Sequence, residues 1–259
     1  MPEFAVRGPG GQAGGSFPMR HLLLIPLLAL ATLAAEPPRI LLAGDSTMAD
    51  KPLDLPERGW GMALGGFFQG DAVVQNHAMN GRSTRSFIDE GRWAKLLAET
   101  RAGDFVIIQF GHNDEKVEDP KRGTDPKTTF PENLRRFVRD VRAKGASPLL
   151  ATPVCRRKFD RNGQLAMTHG AYPDAIRGVA AEEKVPLLEL ELATAAWLRA
   201  TGDEPSRRFF MWIEPGKFAR YPDGLKDDTH FVEAGAKHVA SLAAAQIREQ
   251  KLPLAQWLR

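Results

Sequence analysis

Five short apolar runs recur along the chain, each followed by polar or turn-forming residues: RILLAG at 39–44, AVVQNHAM at 72–79, DFVIIQFG at 104–111, SPLLATPV at 147–154 and VPLLEL at 185–190. Their length and their continuous, rather than alternating, hydrophobicity predict strands buried on both faces. Between them the apolar positions switch to a helical period. Trp93, Leu96, Leu97 and Thr100 share one face, and Leu134, Phe137, Val138 and Val141 share another. Pro131 near the start of the second helix and Gly145 beyond its end punctuate it. Ile176, Val179 and Ala180 mark a third helix, and EAGAKHVASLAAAQIREQK at 233–251 a last one. Strand–helix alternation of this kind predicts one α/β domain, a parallel sheet covered by helices on both faces. No internal repeat or interdomain linker breaks the pattern. In such sheets ligands bind beyond the carboxyl ends of the strands, so the residues that follow each strand are read first for chemistry.

The N-terminal stretch falls outside that alternation. MRHLLLIPLLALATLAA, residues 19–35, has a basic start, a short apolar run and a small-residue end. That is the pattern of a secretory signal peptide cleaved near Ala34 or Ala35, and the run is short for a membrane span. An uncleaved lipid-associated anchor is the rival reading. Residues 1–18 are Gly/Pro-rich and aperiodic and read as a leader or a misassigned start. The expected domain is therefore 36–259, secreted or periplasmic, with no stable membrane span once the signal is removed. A chain of 259 residues with 43% hydrophobic and 26% charged residues can bury a sizeable core. Its net charge of +3 comes from scattered basic residues, with only short clusters at Arg135–Arg136 and Arg156–Arg157–Lys158. A nucleic-acid partner is not expected from so short a basic stripe. The single Cys155 rules out an intrachain disulfide framework and a Cys-rich zinc site, and no role is assigned to it.

The strand ends carry unusual polar residues. AGDSTMAD follows the first strand. Asp45, Ser46 and Thr47 are helix-capping types, but Ser46 also suits a nucleophile exposed on a turn, with its own N–H facing the reaction centre. The G-x-S-x-G elbow of ordinary α/β-hydrolases is absent. NHAMNGRSTRSF follows the second strand, where Gly81 either serves a turn or brings its N–H close to a ligand. FGHNDE follows the third; Asn113 offers a neutral N–H donor suited to an oxyanion hole, or simply caps a turn, and His112 orders the loop. YPDGLKDDTHF, residues 221–231, sets Asp227 and Asp228 ahead of His230 on a predicted loop before the last helix. A serine, an imidazole base, a carboxylate to orient it and up to three oxyanion donors are the parts of an acyl-transfer site. The P-loop and H-E-x-x-H patterns are missing.

Taken in order, GDST, Gly81 in NGRS, GHND and DDTHF look like the four blocks of the SGNH (GDSL-type) hydrolases. Within these the chain closely resembles the bacterial rhamnogalacturonan acetylesterases, with GRSTRSF, TPVCRRKFD, THGAYP and FMWIEPGKFARYPDGLKDDTHF also in that style. The resemblance implies a flavodoxin-like sandwich with a five-stranded parallel sheet. It implies Ser46 as nucleophile, His230 as base and Asp227, three residues before it, as the third member, with Asp228 in a variable slot. The oxyanion hole would be the Ser46 N–H, the Gly81 N–H and the Asn113 side chain. It implies a secreted O-acetylesterase acting on acetylated pectic polysaccharide or oligosaccharide, with no cofactor and no metal required. The alternatives are an esterase of acetyl-xylan, aryl or lipid esters, and a non-catalytic carbohydrate-binding protein on the same fold. Aromatic and basic residues for a saccharide rim are Trp60, Arg82, Arg85, Tyr172 and Trp212, with Arg157, His169 and Tyr221 as further candidates. GWGMALGG, 59–66, reads as packing or as a wall of the site through Trp60. Oligomeric state is left open.

Overall fold

The computed structural model describes Gly10 and residues 39–259. The leader and signal segments expected at 1–18 and 19–35 thus lie, Gly10 apart, outside the described residues. In chain order the elements are β1 (Arg39–Gly44), β2 (Glu57–Arg58), α1 (Trp60–Leu64), β3 (Val73–Asn76), α2 (Thr84–Asp89), α3 (Arg92–Glu99), β4 (Phe105–Gln109) and α4 (Thr129–Ala143). There follow β5 (Ser147–Ala151), α5 (Tyr172–Glu182), β6 (Leu187–Leu188), α6 (Leu190–Thr201), α7 (Asp203–Ser206), β7 (Phe210–Ile213), β8 (Leu225–Val232) and α8 (Glu233–Glu249).

Strands β1, β3, β4, β5 and β6 form the five-stranded parallel sheet, in the order β3-β1-β4-β5-β6. Alternation along β1 divides the core in two. Ile40 and Leu42 face one cluster, with Trp60, Leu198, Val239 and Ala243 from α1, α6 and α8. Leu41 and Ala43 face the other, with Phe87, Trp93, Phe137 and Ile176 from α2 to α5. The result is a three-layer α/β/α sandwich. The chain runs from β1 to β3 on one side and then returns to β4 on the other. The crevice where strand order reverses therefore opens beyond the ends of β1 and β4, where doubly wound sheets place ligands.

A second sheet was not read in the sequence. It is antiparallel, in the order β2-β8-β7. His230, expected on a loop, lies within β8. That strand is irregular: Phe210 pairs with Phe231, but the next residue, Met211, pairs with Asp227, so residues 228–230 bulge out of the ladder. Among the described residues no helix is long and apolar enough to cross a membrane.

Candidate active site

Ser46 sits on the turn after β1. The N–H groups of Met48 and Ala49 donate to Asp45 O (3.2 and 3.0 Å), which folds the chain back directly behind the serine. Its neighbours Asp45, Thr47 and Met48 are fully buried, while Ser46 itself keeps partial access to solvent. Below it runs a buried relay of hydrogen bonds. Trp60 Nε1 donates to Gln109 Oε1 (2.7 Å), Gln109 Nε2 to Thr47 Oγ1 (2.9 Å), and Thr47 Oγ1 and N to Asp45 Oδ1 (2.8 and 2.9 Å). Burial pushes the Asp45 carboxyl above its ordinary range, against the hydrogen bonds from Thr47.

The bulge in β8 turns His230 toward that serine. Asp227 Oδ1 accepts the N–H groups of Thr229 and His230 (2.7 and 3.0 Å), an Asx-turn that brings two side chains three residues apart face to face. His230 Nδ1 then lies 2.7 Å from Asp227 Oδ2, and His230 Nε2 lies 2.8 Å from Ser46 Oγ. Burial alone would raise the Asp227 carboxyl. The imidazole hydrogen bond, the charge of His230 and the two N–H groups outweigh it and hold the carboxyl below its ordinary value. Asp228 turns the other way, where its Oδ1 accepts from Arg157 Nε and Trp212 Nε1, both at 2.8 Å.

The second block is pinned to the end of β1, where the Met79 N–H donates to Gly44 O (3.0 Å), and the third is tied to the second through Asn113 and Arg82. Gly81 has φ of +77°, a conformation glycine adopts without strain. Among the described residues neither its N–H nor that of Ser46 meets a protein acceptor, so both remain free to donate. Asn113, almost fully buried, spends one Nδ2 proton on Arg82 O (3.1 Å) and accepts at Oδ1 from Lys116 Nζ (2.8 Å), leaving its second amide proton uncommitted. Asp114 ties this loop to α2, accepting from Thr84 N (3.0 Å), Thr84 Oγ1 (2.6 Å) and Thr124 Oγ1 (3.1 Å). Burial raises its pKa to about 7. Buried Lys51 links the glycine loop to the nucleophile turn, donating to Asn80 Oδ1 (2.6 Å) and pairing with Glu57 Oε1 (2.5 Å).

Several residues expected to face a ligand do not. Trp60 is fully buried beneath the nucleophile turn, so it packs rather than walls the site. Tyr172 is buried too, and its hydroxyl is committed to Asp114 O (3.0 Å) and Thr124 O (2.5 Å). Arg157 is buried between Asp203 and Asp228, and His169 between Glu115 Oε2 and Val154 O, both at 3.0 Å. Arg82 and Arg85 are half-buried and brace loops, through Asn80 O (2.8 Å) and Pro120 O (3.0 Å) respectively. Trp212 keeps partial exposure beside a hollow formed with Glu214, Pro215, Asp223 and Lys226. His112 is buried edge-on to His169, and burial holds its pKa well below the usual value, so it stays neutral. Cys155 is buried and its thiol is pushed up to about 11 by burial. Lys116 and Gln109 were missed. A polar Gln109 closing the apolar run FVIIQF was a legible sign, whereas Lys116 was one surface-type cation among many. Among the described residues no group of three or more His, Cys, Asp or Glu side chains is arranged to hold a metal ion.

The chain is similar to known proteins over most of its length. The model of the GDSL-like Lipase/Acylhydrolase family matches residues 42–238. Rhamnogalacturonan acetylesterase RhgT of Bacillus subtilis is 44% identical over 220 residues, 85% of this chain and 93% of that protein. Probable rhamnogalacturonan acetylesterase YesY of the same organism is 36% identical over 217 residues, 84% of this chain and 95% of that protein. Among solved structures, protein YxiM of Bacillus subtilis superposes with a TM-score of 0.71 at 27% identity, covering 84% of this chain and 58% of that one. The acetylxylan esterase Axe2 of Geobacillus stearothermophilus gives 0.58 at 16% identity, covering 81% and 94%, and bears on the fold alone.

Proposed function

The chain belongs to the GDSL-like lipase/acylhydrolase family and is a carboxylic ester hydrolase, and from that premise we propose that it removes acetyl groups from rhamnogalacturonan through an acyl-enzyme on Ser46. The observation that carries the mechanism is the continuous chain from Ser46 Oγ through the His230 imidazole to the Asp227 carboxylate, with contacts of 2.8 and 2.7 Å. As Ser46 attacks the acetyl carbonyl, His230 Nε2 takes its proton. Asp227, kept ionised by its hydrogen bonds, orients the ring and stabilises the imidazolium. The Ser46 and Gly81 N–H groups and the free Asn113 amide proton receive the oxyanion, each worth roughly 2.7–4 kcal/mol. The tetrahedral intermediate collapses, the sugar hydroxyl leaves with the proton from His230, and water activated by the same imidazole releases acetate.

The substrate reading rests on the likeness to RhgT and YesY over most of the chain. Trp212, partly exposed beside its hollow, is the side chain proposed to meet the saccharide. The test is acetate release from acetylated rhamnogalacturonan measured beside acetyl-xylan and 4-nitrophenyl esters of increasing acyl length. The pectic substrate and the shortest acyl chain should be preferred, and Ser46→Ala should abolish turnover of all of them. Preference for acetyl-xylan or long acyl chains would overturn the substrate assignment. Undiminished turnover in Ser46→Ala would overturn the mechanism.

A further inference from the structure

A carboxamide helps an oxyanion only with its NH₂ end inward; rotated by half a turn it presents a carbonyl dipole to the developing negative charge. Asn113 is held against that rotation from both ends, by Arg82 O accepting from Nδ2 and by the Lys116 ammonium donating to Oδ1 at 2.8 Å. We propose that Lys116 is a positioning residue for ester hydrolysis, locking the Asn113 amide and polarising it as an oxyanion donor. This rests on the oxyanion role proposed above for Asn113.

Three features of the loop support it. The Lys116 N–H donates to Asn113 O (3.3 Å), so the chain turns back and brings the two side chains together. Asn113 is 3% exposed, so an amide released by Lys116 would leave a buried acceptor without a partner rather than with water. A cation at the amide oxygen draws electron density away from the nitrogen and strengthens the remaining N–H as a donor, the cooperative effect of a hydrogen-bonded chain. Partial burial, then the charges of Arg122 and Arg156, pull the lysine below its ordinary pKa, against the attraction of Glu115 and Asp45.

A lysine at this place has a rival use, a direct contact with an acidic sugar. Two substrates separate the uses, because 4-nitrophenyl acetate carries an acetyl group but no sugar. Lys116→Met and Lys116→Gln should each lower kcat about tenfold on both substrates with KM within about twofold, since the Asn113 donation that the lysine supports meets full negative charge only in the transition state. Asn113→Ala should lower kcat on the order of a hundredfold, and Asn113→Ala/Lys116→Met should be no slower than Asn113→Ala alone, the mark of one residue acting through another. Losses confined to the polysaccharide, or carried in KM, would overturn the positioning role in favour of substrate binding. So would multiplying losses in the double variant. Wild-type kcat in Asn113→Ala would instead remove the oxyanion role, and the lysine's role with it. Urea unfolding of each variant keeps a folding defect distinct from a catalytic one.

Discussion

At the scale of single residues, adjacent carboxylates have been given different work by the bulge in β8. Asp227 takes three hydrogen bonds from residues 229 and 230, all within the turn that presents His230 to Ser46. Asp228 takes its two from Arg157 and Trp212, which hold the bulge to the body of the protein. Asp227→Ala should therefore lower kcat by about 10³–10⁴-fold, as loss of the orienting carboxylate does in a serine triad. Asp228→Ala should leave kcat within roughly tenfold but cost about 1–3 kcal/mol of stability, because it strips a partner from the buried Arg157 guanidinium. Steady-state kinetics on an acetyl ester and urea midpoints check both halves; equal kcat losses would defeat the division of roles. In the sequence, Ser46 stood out as a polar turn residue after an apolar run and His230 as an imidazole behind two carboxylates, while Asp227 was preferred to Asp228 only through the resemblance to the SGNH hydrolases. The work of Asp228 was hidden, since Arg157 lies 71 residues away along the chain. For a related reason the sequence left Trp60 open between packing and a wall of the site, and the fold decides for packing by setting it on Gln109.

At the scale of elements, the glycines of GWGMALGG show why a motif can be legible and its meaning not. Helix α1 begins on the nucleophile turn: the N–H groups of Trp60 and Gly61, which a helix start leaves without internal partners, donate to Thr47 O (2.9 Å) and Met48 O (3.2 Å). The approach is so close that a Cβ on Gly61 would lie 2.6 Å from Met48 O and 2.7 Å from Asn76 Nδ2. Gly66, at the end of the same motif, would meet nothing within 4 Å. Gly61→Ala should thus cost about 1–3 kcal/mol, the usual range for overpacking, and lower kcat by lifting α1 from the turn that carries Ser46. Gly66→Ala should stay within about 0.5 kcal/mol of wild type, as an open surface site does. Thermal unfolding together with kcat decides it, and equal effects at both sites would mean that α1 does not support the turn. Composition could not tell these glycines apart; only the tertiary contact does. The same contrast runs through the sheets. Doubly buried parallel strands announce themselves as apolar runs, and β1 was read to the residue, Arg39–Gly44. The strand LKDDTHFV of β8 is mostly polar, half-exposed and bulged, so neither period nor propensity marks it.

At the scale of the whole molecule, the charge states fixed by burial become a dependence of stability on pH, and two residues beside the crevice act with opposite sign. Burial, with the nearby charges of His169 and Arg156, holds His112 well below the ordinary histidine value of 6.5. The unfolded chain therefore takes up a proton below about pH 6.5 that the folded protein refuses, and this residue withdraws stability as pH falls. Asp114 is raised by burial from 3.8 to about 7. Here the folded protein binds the proton first, and its contribution grows as pH falls from about 7 toward 3.8. His77 and His238, also lowered by burial, add to the first effect, and Asp45 and Glu191, raised by burial, to the second. The wild-type curve alone is thus a sum of opposed slopes, and single variants resolve it. Between about pH 7.5 and about 5.5, His112→Leu should gain roughly 1.4 kcal/mol relative to wild type, since one refused proton is removed. Over the same interval Asp114→Asn should lose about 1.5–2 kcal/mol relative to wild type. Urea unfolding at the two pH values measures each difference directly. Parallel wild-type and variant curves would show that neither group changes its protonation on folding, and slopes of the same sign would reverse the assignment for one of them.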